Sequence, residues 1–437
     1  MSLSRSVVPG IATAVLTASV ARAGGTERGS VIFIHPDGAS AATWAAARAL
    51  HVGPDADLNW DLLPSIALYR GHMADSLTAT SNGGATTHAF GVKVASDAYG
   101  RTAGGEDGRD ILGPDGYSAS VALQAIRAGI AVGIVQTGAA PEPGTGCFLV
   151  STTQRGNYDE ITGGLIESGA DVILCGGERF FLPEGAMGVY GPGARKDDRN
   201  LFKEAQHAGY HVVRTRVELT SVPAGTKRLL GVFSHDATFY DQSEEELAAA
   251  GLPLYEPDAP SVAEMTIAAL RVLSAGDRQF MLVVEEEGTD NFGNHNNASG
   301  VFEAVRRADE AIGVARSFVA DHPRTLVMTC ADSDAGGMRM LGIALDPGQA
   351  LPEKLPERTD NGSPVDGVAG TGSAPFLAAP DRSGRRLPFG VVWAGFDDVS
   401  GGVVVRGDGL NSHLICGSFD NTRVAELMRQ TLFASGE

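Results

Sequence analysis

The stretch Val31-Ile32-Phe33-Ile34-His35-Pro36-Asp37-Gly38 decides the fold. Four apolar residues in succession, without the alternation of a half-exposed strand, predict a strand buried on both faces, and Pro-Asp-Gly ends it in a loop. Similar short apolar runs recur at 131–135, 172–175, 212–213, 229–233, 280–284, 325–329 and 391–393. Between them, 118–128, 262–273 and 299–319 carry apolar residues at helical spacing. Such alternation predicts an α/β fold, a three-layer α/β/α sandwich around a mainly parallel central sheet.

The bulk properties agree with one large globular unit. At 437 residues, 43% hydrophobic and 20% charged, the chain can bury a substantial core, and no long linker or charge block divides it. Residues 24–437 therefore read as a single domain, with a Pro- and Gly-rich irregular insertion at 349–387 lying over the ligand-binding edge of the sheet. Residues 1–23 have the order of a secretory signal peptide, with Arg5, an apolar 7–20 and Ala21-Arg22-Ala23. That order predicts a periplasmic or secreted protein. No other stretch approaches membrane-span length. Cys147, Cys175, Cys330 and Cys416 each adjoin an apolar run and read as buried thiols, not as a zinc cluster. A formal net charge of -19 argues against nucleic acid or an anionic membrane surface as partner. An anionic substrate would need local cations.

In open α/β sheets, ligands bind beyond the carboxyl ends of the strands. Asp37 follows the first apolar run, Glu285 and Asp290 follow 280–284, and Asp332 follows 325–329. Singly, each reads as a turn or cap residue; together they predict a shared metal site, provided these strand ends are neighbours. A second feature is Thr78-Ala-Thr-Ser-Asn-Gly-Gly-Ala-Thr-Thr-His-Ala-Phe-Gly91. There Ser81 stands at the start of a segment able to form a helix, either as an N-cap or as a nucleophile beside free N–H groups that receive an anion. His35, His88, His235 with Asp236, and His413 read as structural, supporting or exposed polar residues.

In this order the motifs resemble the alkaline phosphatase family from about Val31 to Leu432. Asp37-Gly38 is similar to the family's first metal-bridging aspartate, and Thr80-Ser81-Asn82-Gly83-Gly84-Ala85-Thr86 with Gly91-Val92-Lys93 to its nucleophile region. The resemblance makes Ser81 the nucleophile that becomes transiently phosphorylated. Glu142-Pro-Gly-Thr-Gly146 and Gln154-Arg155 are similar to the segment supplying a magnesium-site threonine and a phosphate-gripping arginine, here Thr145 and Arg155. Glu285 and Asp290 resemble the family's paired glutamate and aspartate ligands, Asp332 the later aspartate, and Asp398 stands in the stretch of the last metal histidine. The family's zinc histidines would fall at Asn294, Ser333 and Asp398, with His295 one step away as a substitute, and Thr80 replaces an aspartate.

The resemblance thus implies a metal-dependent phosphate monoester hydrolase. Asp37 and Asp332 would hold one cation beside Ser81. Asp290, with Asn294 or His295 and Asp398, would hold a second, and Glu285 with Thr145 a third shared with Asp37. Oxygen donors favour Mg or Ca, with Mn or Zn also open. The implied partner is a small phosphorylated substrate, and a homodimer is left open. The rival readings are a related metallo-esterase for diesters, sulfates or phosphonates, and a secreted cation- or phosphate-binding protein without catalysis.

Overall fold

The computed structural model describes residues 26–346 and 348–434, so the signal peptide expected at 1–23 lies outside the described residues. In chain order the strands are β1 (Ser30–Pro36), β2 (Ser65–Arg70), β3 (Ala131–Ala139), β4 (Val172–Gly176), β5 (His211–Val213), β6 (Leu229–Val232), β7 (Phe280–Glu286), β8 (Thr325–Thr329), β9 (Arg339–Gly342), β10 (Val365–Gly367), β11 (Gly370–Thr371), β12 (Phe376–Leu377), β13 (Pro388–Val392), β14 (Val404–Gly409) and β15 (Ser418–Asp420). Ten of them form one sheet in the order β15-β2-β14-β8-β1-β7-β3-β4-β6-β5. Only β14 opposes the direction of the others.

Every residue of β1 is buried, and its side chains alternate between two cores. Ile32 and Ile34 join Trp44, Leu270 and Ile312 on one face, while Val31 and Phe33 join Ala85, Ile161 and Met428 on the other. The helices Ala41–His51, Val262–Leu273 and Ala298–Asp321 cover the first face; Ser81–Phe90, Val121–Arg127, Tyr158–Glu167 and Thr422–Phe433 cover the second. The chain is therefore the three-layer α/β/α sandwich expected from the alternation. Continuous apolar strands are what two covered faces demand.

Register then sets the chemistry. β1 lies between β8 and β7, so Ile34 stands opposite Thr329 and His35 opposite Glu285. β3 pairs the far side of β7, with Gln136 opposite Glu285. The carboxyl ends of β8, β1, β7 and β3 are consecutive neighbours, which meets the condition for the carboxylates that follow them to converge.

Two expectations are corrected. Residues 391–393 do not extend the central sheet: β13 belongs to a separate antiparallel sheet with β9, β10 and β12, and β11 pairs β10. Nor is 349–387 simply irregular, because it contributes β10, β11 and β12. These strands are only two or three residues long, too short to leave a period in a Pro- and Gly-rich sequence. Phe302, Phe376 and Phe389 fasten the small sheet to the helix Ala298–Asp321, with ring centroids 4.9 Å apart for Phe302 and Phe376. The thiols are free; Cys147, Cys175 and Cys330 are buried, whereas Cys416 is exposed in the turn before β15. No helix among the described residues is long and apolar enough to cross a membrane.

Candidate active site

Ser81 is the first residue of the helix Ser81–Phe90, and Thr80, not Ser81, caps it, accepting from the Gly83 N–H at 3.3 Å. The hydroxyl of Ser81 is thus released from capping. At its other end the helix stops at Gly91, whose φ of 70° is the left-handed conformation that glycine adopts freely. Lys93 turns away to pair with Asp420 at 3.2 Å and takes no part in the pocket.

Ser81, Arg155, Glu287, Asp290, Asn294 and Asp398 line one cavity of about 280 Å³. A larger cavity of about 450 Å³ lies at the opposite, amino ends of β1 and β8, walled by Arg28, Gln279 and Phe318. None of its lining side chains is among the buried unpartnered groups of the described residues, so volume does not mark the chemistry there. Around the smaller cavity such groups abound. Both carboxylate oxygens of Asp37 and of Asp332, one each of Glu285 and Glu287, and the Thr145 hydroxyl are buried without a partner.

Two subsets are close enough to share an ion: His35 with Asp37 and Glu285, and Asp37 with Glu287 and Asp290, the ligand atoms of each lying within 4.8 Å of one another. Asp37 belongs to both. Burial, then Glu287 and Glu285, pushes its carboxyl well above the ordinary range. Burial first and neighbouring carboxylates second do the same to Glu287, Asp290 and Asp332. Carboxylates assembled this way must hold protons or a cation. The donor set is mostly hard oxygen, with one imidazole, and it fits divalent cations.

The chain makes room for this assembly with two glycines. A Cβ on Gly84, in the first turn after Ser81, would stand 2.1 Å from Asp332 Oδ2, and one on Gly144 would stand 1.4 Å from Glu285 Oε1. Gly144 lies in the short helix Pro143–Gly146 that also carries Thr145. Gly144→Ala should therefore displace Glu285 and weaken divalent-cation binding by roughly tenfold or more, by analogy with disturbed ligand support. Titration calorimetry on the variant, with circular dichroism to verify folding, measures this.

Arg155 reaches the same cavity, held by Glu142 and by Asn82 Oδ1 at 3.3 Å. Two of its five N–H donors are thereby used, and the rest are available to an anion.

Several expectations change here. His35, read as structural, is fully buried with Nδ1 3.1 Å from Glu285 and Nε2 3.4 Å from Asp37. Burial lowers its pKa, with Asp332 opposing the shift, which favours a neutral ring. If the Nδ1 proton goes to Glu285, the Nε2 lone pair faces the carboxylate cluster. Glu287 and Glu142, neither singled out from sequence, belong to the cavity and to the hold on Arg155. His295 sits at the rim, its Nδ1 2.8 Å from Asp241, and is outside both ion-sharing groups. Asn294 presents the wrong atom for a ligand: its Oδ1 accepts from the Gly336 N–H at 3.0 Å, while its Nδ2 faces Asp290 and Asp398. His88 donates to or accepts from the Tyr69 hydroxyl at 2.7 Å and packs against Phe33.

The alkaline phosphatase family model matches residues 29–354. The chain belongs to the alkaline phosphatase family. It is 27% identical to an alkaline phosphatase of Gadus morhua over 338 residues, 69% of this chain and 68% of that one. It is 28% identical to the membrane-bound alkaline phosphatase of Bombyx mori over 347 residues, 71% of this chain but 61% of the relative. For the tissue-nonspecific isozyme of Rattus norvegicus the share of the relative falls similarly, to 63%. The solved alkaline phosphatase of Thermus thermophilus superposes with a TM-score of 0.71 at 23% identity, covering 94% of this chain and 93% of that one. That of the Antarctic bacterium TAB5 gives 0.70 at 18%, covering 94% and 99%. At these identities the structural likeness speaks for the fold. The chain thus spans 61% to 68% of the length of these curated relatives, each an alkaline phosphatase.

Proposed function

We propose that this alkaline phosphatase family member hydrolyses phosphate monoesters through a phosphoserine at Ser81. The observation that supports the reading is one cavity shared by a serine hydroxyl at a helix start that is not engaged in capping, Arg155, and the carboxylates Glu287 and Asp290. Asp37, Glu285, Glu287, Asp290 and Asp332, with Thr145 and His35 beside them, would hold divalent cations, Mg or Ca in preference to Zn because oxygen donors predominate. When bound, such cations supply positive charge that acidifies hydroxyl groups and water and neutralises phosphate oxygens.

The chain's own groups then act as follows. Arg155 orients the phosphate by charge-assisted hydrogen bonds to two of its oxygens. Ser81 Oγ, giving its proton to solvent water, forms the new bond to phosphorus as the bond to the ester oxygen breaks, and the leaving oxygen takes a proton from water to depart as the alcohol. A water then attacks phosphorus, the bond from phosphorus to Ser81 Oγ breaks, and the proton given up by the water restores the serine hydroxyl as inorganic phosphate leaves. Thr80 fixes the helix start from which Ser81 projects. The leader-like residues 1–23 put this activity outside the cytoplasm in the same proposal.

The test is phosphate release from a chromogenic monoester after chelation and readdition of single metals, beside a panel of diesters and sulfates. Activity lost on chelation and restored by Mg²⁺, with monoesters hydrolysed fastest, is expected; metal-independent hydrolysis contradicts the reading. In the same assay Arg155→Ala should raise KM by roughly tenfold to a hundredfold, since a charged, bidentate contact to substrate is lost.

A further inference from the structure

Asp290 and Asp398 meet at the outer side of the cavity, and one amide contacts both carboxylates. Asn294, at the end of the helix Gly288–Asn294, turns Nδ2 to Asp398 Oδ1 at 3.1 Å and to both oxygens of Asp290 at 3.3 Å. Its Oδ1 accepts from the Gly336 N–H at 3.0 Å. The orientation follows from these partners: reversed, the amide would set its oxygen against two carboxylates and its NH₂ against an N–H.

The backbone that fixes this orientation is itself constrained. Gly336 has a φ of 60°, and a Cβ there would stand 2.2 Å from Gly293 O and 2.9 Å from Trp393. From this tightly packed position the N–H donates to Asn294 Oδ1. On its inner side, the Asp290 carboxylate remains within ion-sharing reach of Asp37 and Glu287. Asp290 thus divides its environment between an amide outside and a carboxylate group inside.

We infer that Asn294 is a neutral clamp standing where an outer cation would lie between Asp290 and Asp398, so that bound cations are confined to the carboxylates around Asp37. The two N–H bonds of one amide reach both outer carboxylates, and Asn294 offers no free oxygen to an ion there, its Oδ1 being taken by the Gly336 N–H. Asn294 and Asp398 are positioning residues on this account: they hold Asp290 in place for the inner group. The inference rests on the metal-dependent reading of the site.

The test counts Mn²⁺ bound by the full chain, by electron paramagnetic resonance of the free ion and by calorimetry, with circular dichroism to verify folding. Asp398→Asn should bind as many ions as the unaltered protein, with affinity changed by no more than about threefold. Glu287→Gln should bind one fewer, and Asn294→Asp, which adds a carboxylate and removes the donors, one more. Loss of an ion in Asp398→Asn overturns the clamp while leaving the metal site standing. Absence of Mn²⁺ binding by the unaltered protein overturns the metal reading and the clamp with it. If Asn294→Asp does not fold, the nearly isosteric Asp398→Asn still decides.

Discussion

Ser81→Ala should lower kcat for phosphate monoesters by roughly a thousandfold or more while leaving the thermal midpoint almost unchanged. The two effects separate because the hydroxyl has no share in the cap. Thr80 supplies the capping oxygen, and position 81 already lies inside the helix, where alanine is the best former. A serine kept only to start the helix would show the reverse: some loss of stability and little loss of rate. Steady-state kinetics together with a thermal melt of the same preparation distinguishes them.

Asp37→Asn should have the second large effect, and it should act on binding and stability in opposite directions. Asp37 is shared by both ion-sharing groups, so its neutral amide analogue should weaken divalent-cation binding by roughly a hundredfold. In chelator, however, the variant should melt at a higher temperature than the unaltered protein. There Asp37 is buried beside Glu285, Glu287 and Asp332, and removing one carboxylate relieves both desolvation and like-charge repulsion. Adding Mg²⁺ should reverse that ranking. Calorimetry and paired melts with and without metal measure both halves.

The parts of the fold legible in the sequence were those in which burial on both faces leaves an unbroken apolar run. β1, β7 and β8 are of that kind, and so the carboxylates at their ends could be assigned to one edge. β14 was not legible, because Val404–Gly409 includes Arg406, Gly407 and Asp408, which disfavour a strand. The first of its two glycines is explained only by packing: a Cβ at Gly407 would stand 2.4 Å from Ile415 and 2.7 Å from Val327 O. β2 was hidden differently: Ile66 and Leu68 are exposed while Ala67 and Tyr69 are buried, so burial alternates along an apolar run whose residue types do not.

At the site, residue type was legible sooner than partnership. Within Glu285-Glu286-Glu287 the strand's alternation sends Glu285 towards His35 and Glu286 to Tyr255 and Thr137 on the other face. The period of two was available from sequence, and it could have separated Glu286 from its neighbours. The role of His35 was not available, since it arises from the register that sets it opposite Glu285. Asn294 lies four residues after Asp290, which predicts proximity on a helix but says nothing about which end of the amide faces the carboxylate. That depended on Gly336, contributed from beyond β8.

Whether Ser81 carries the phosphoryl group is measured most directly by mass spectrometry of the protein quenched in acid during turnover of a phosphate monoester. One phosphoryl group is expected on the peptide containing Ser81, appearing before steady state and absent in Ser81→Ala. Turnover with that peptide unmodified throughout would contradict it.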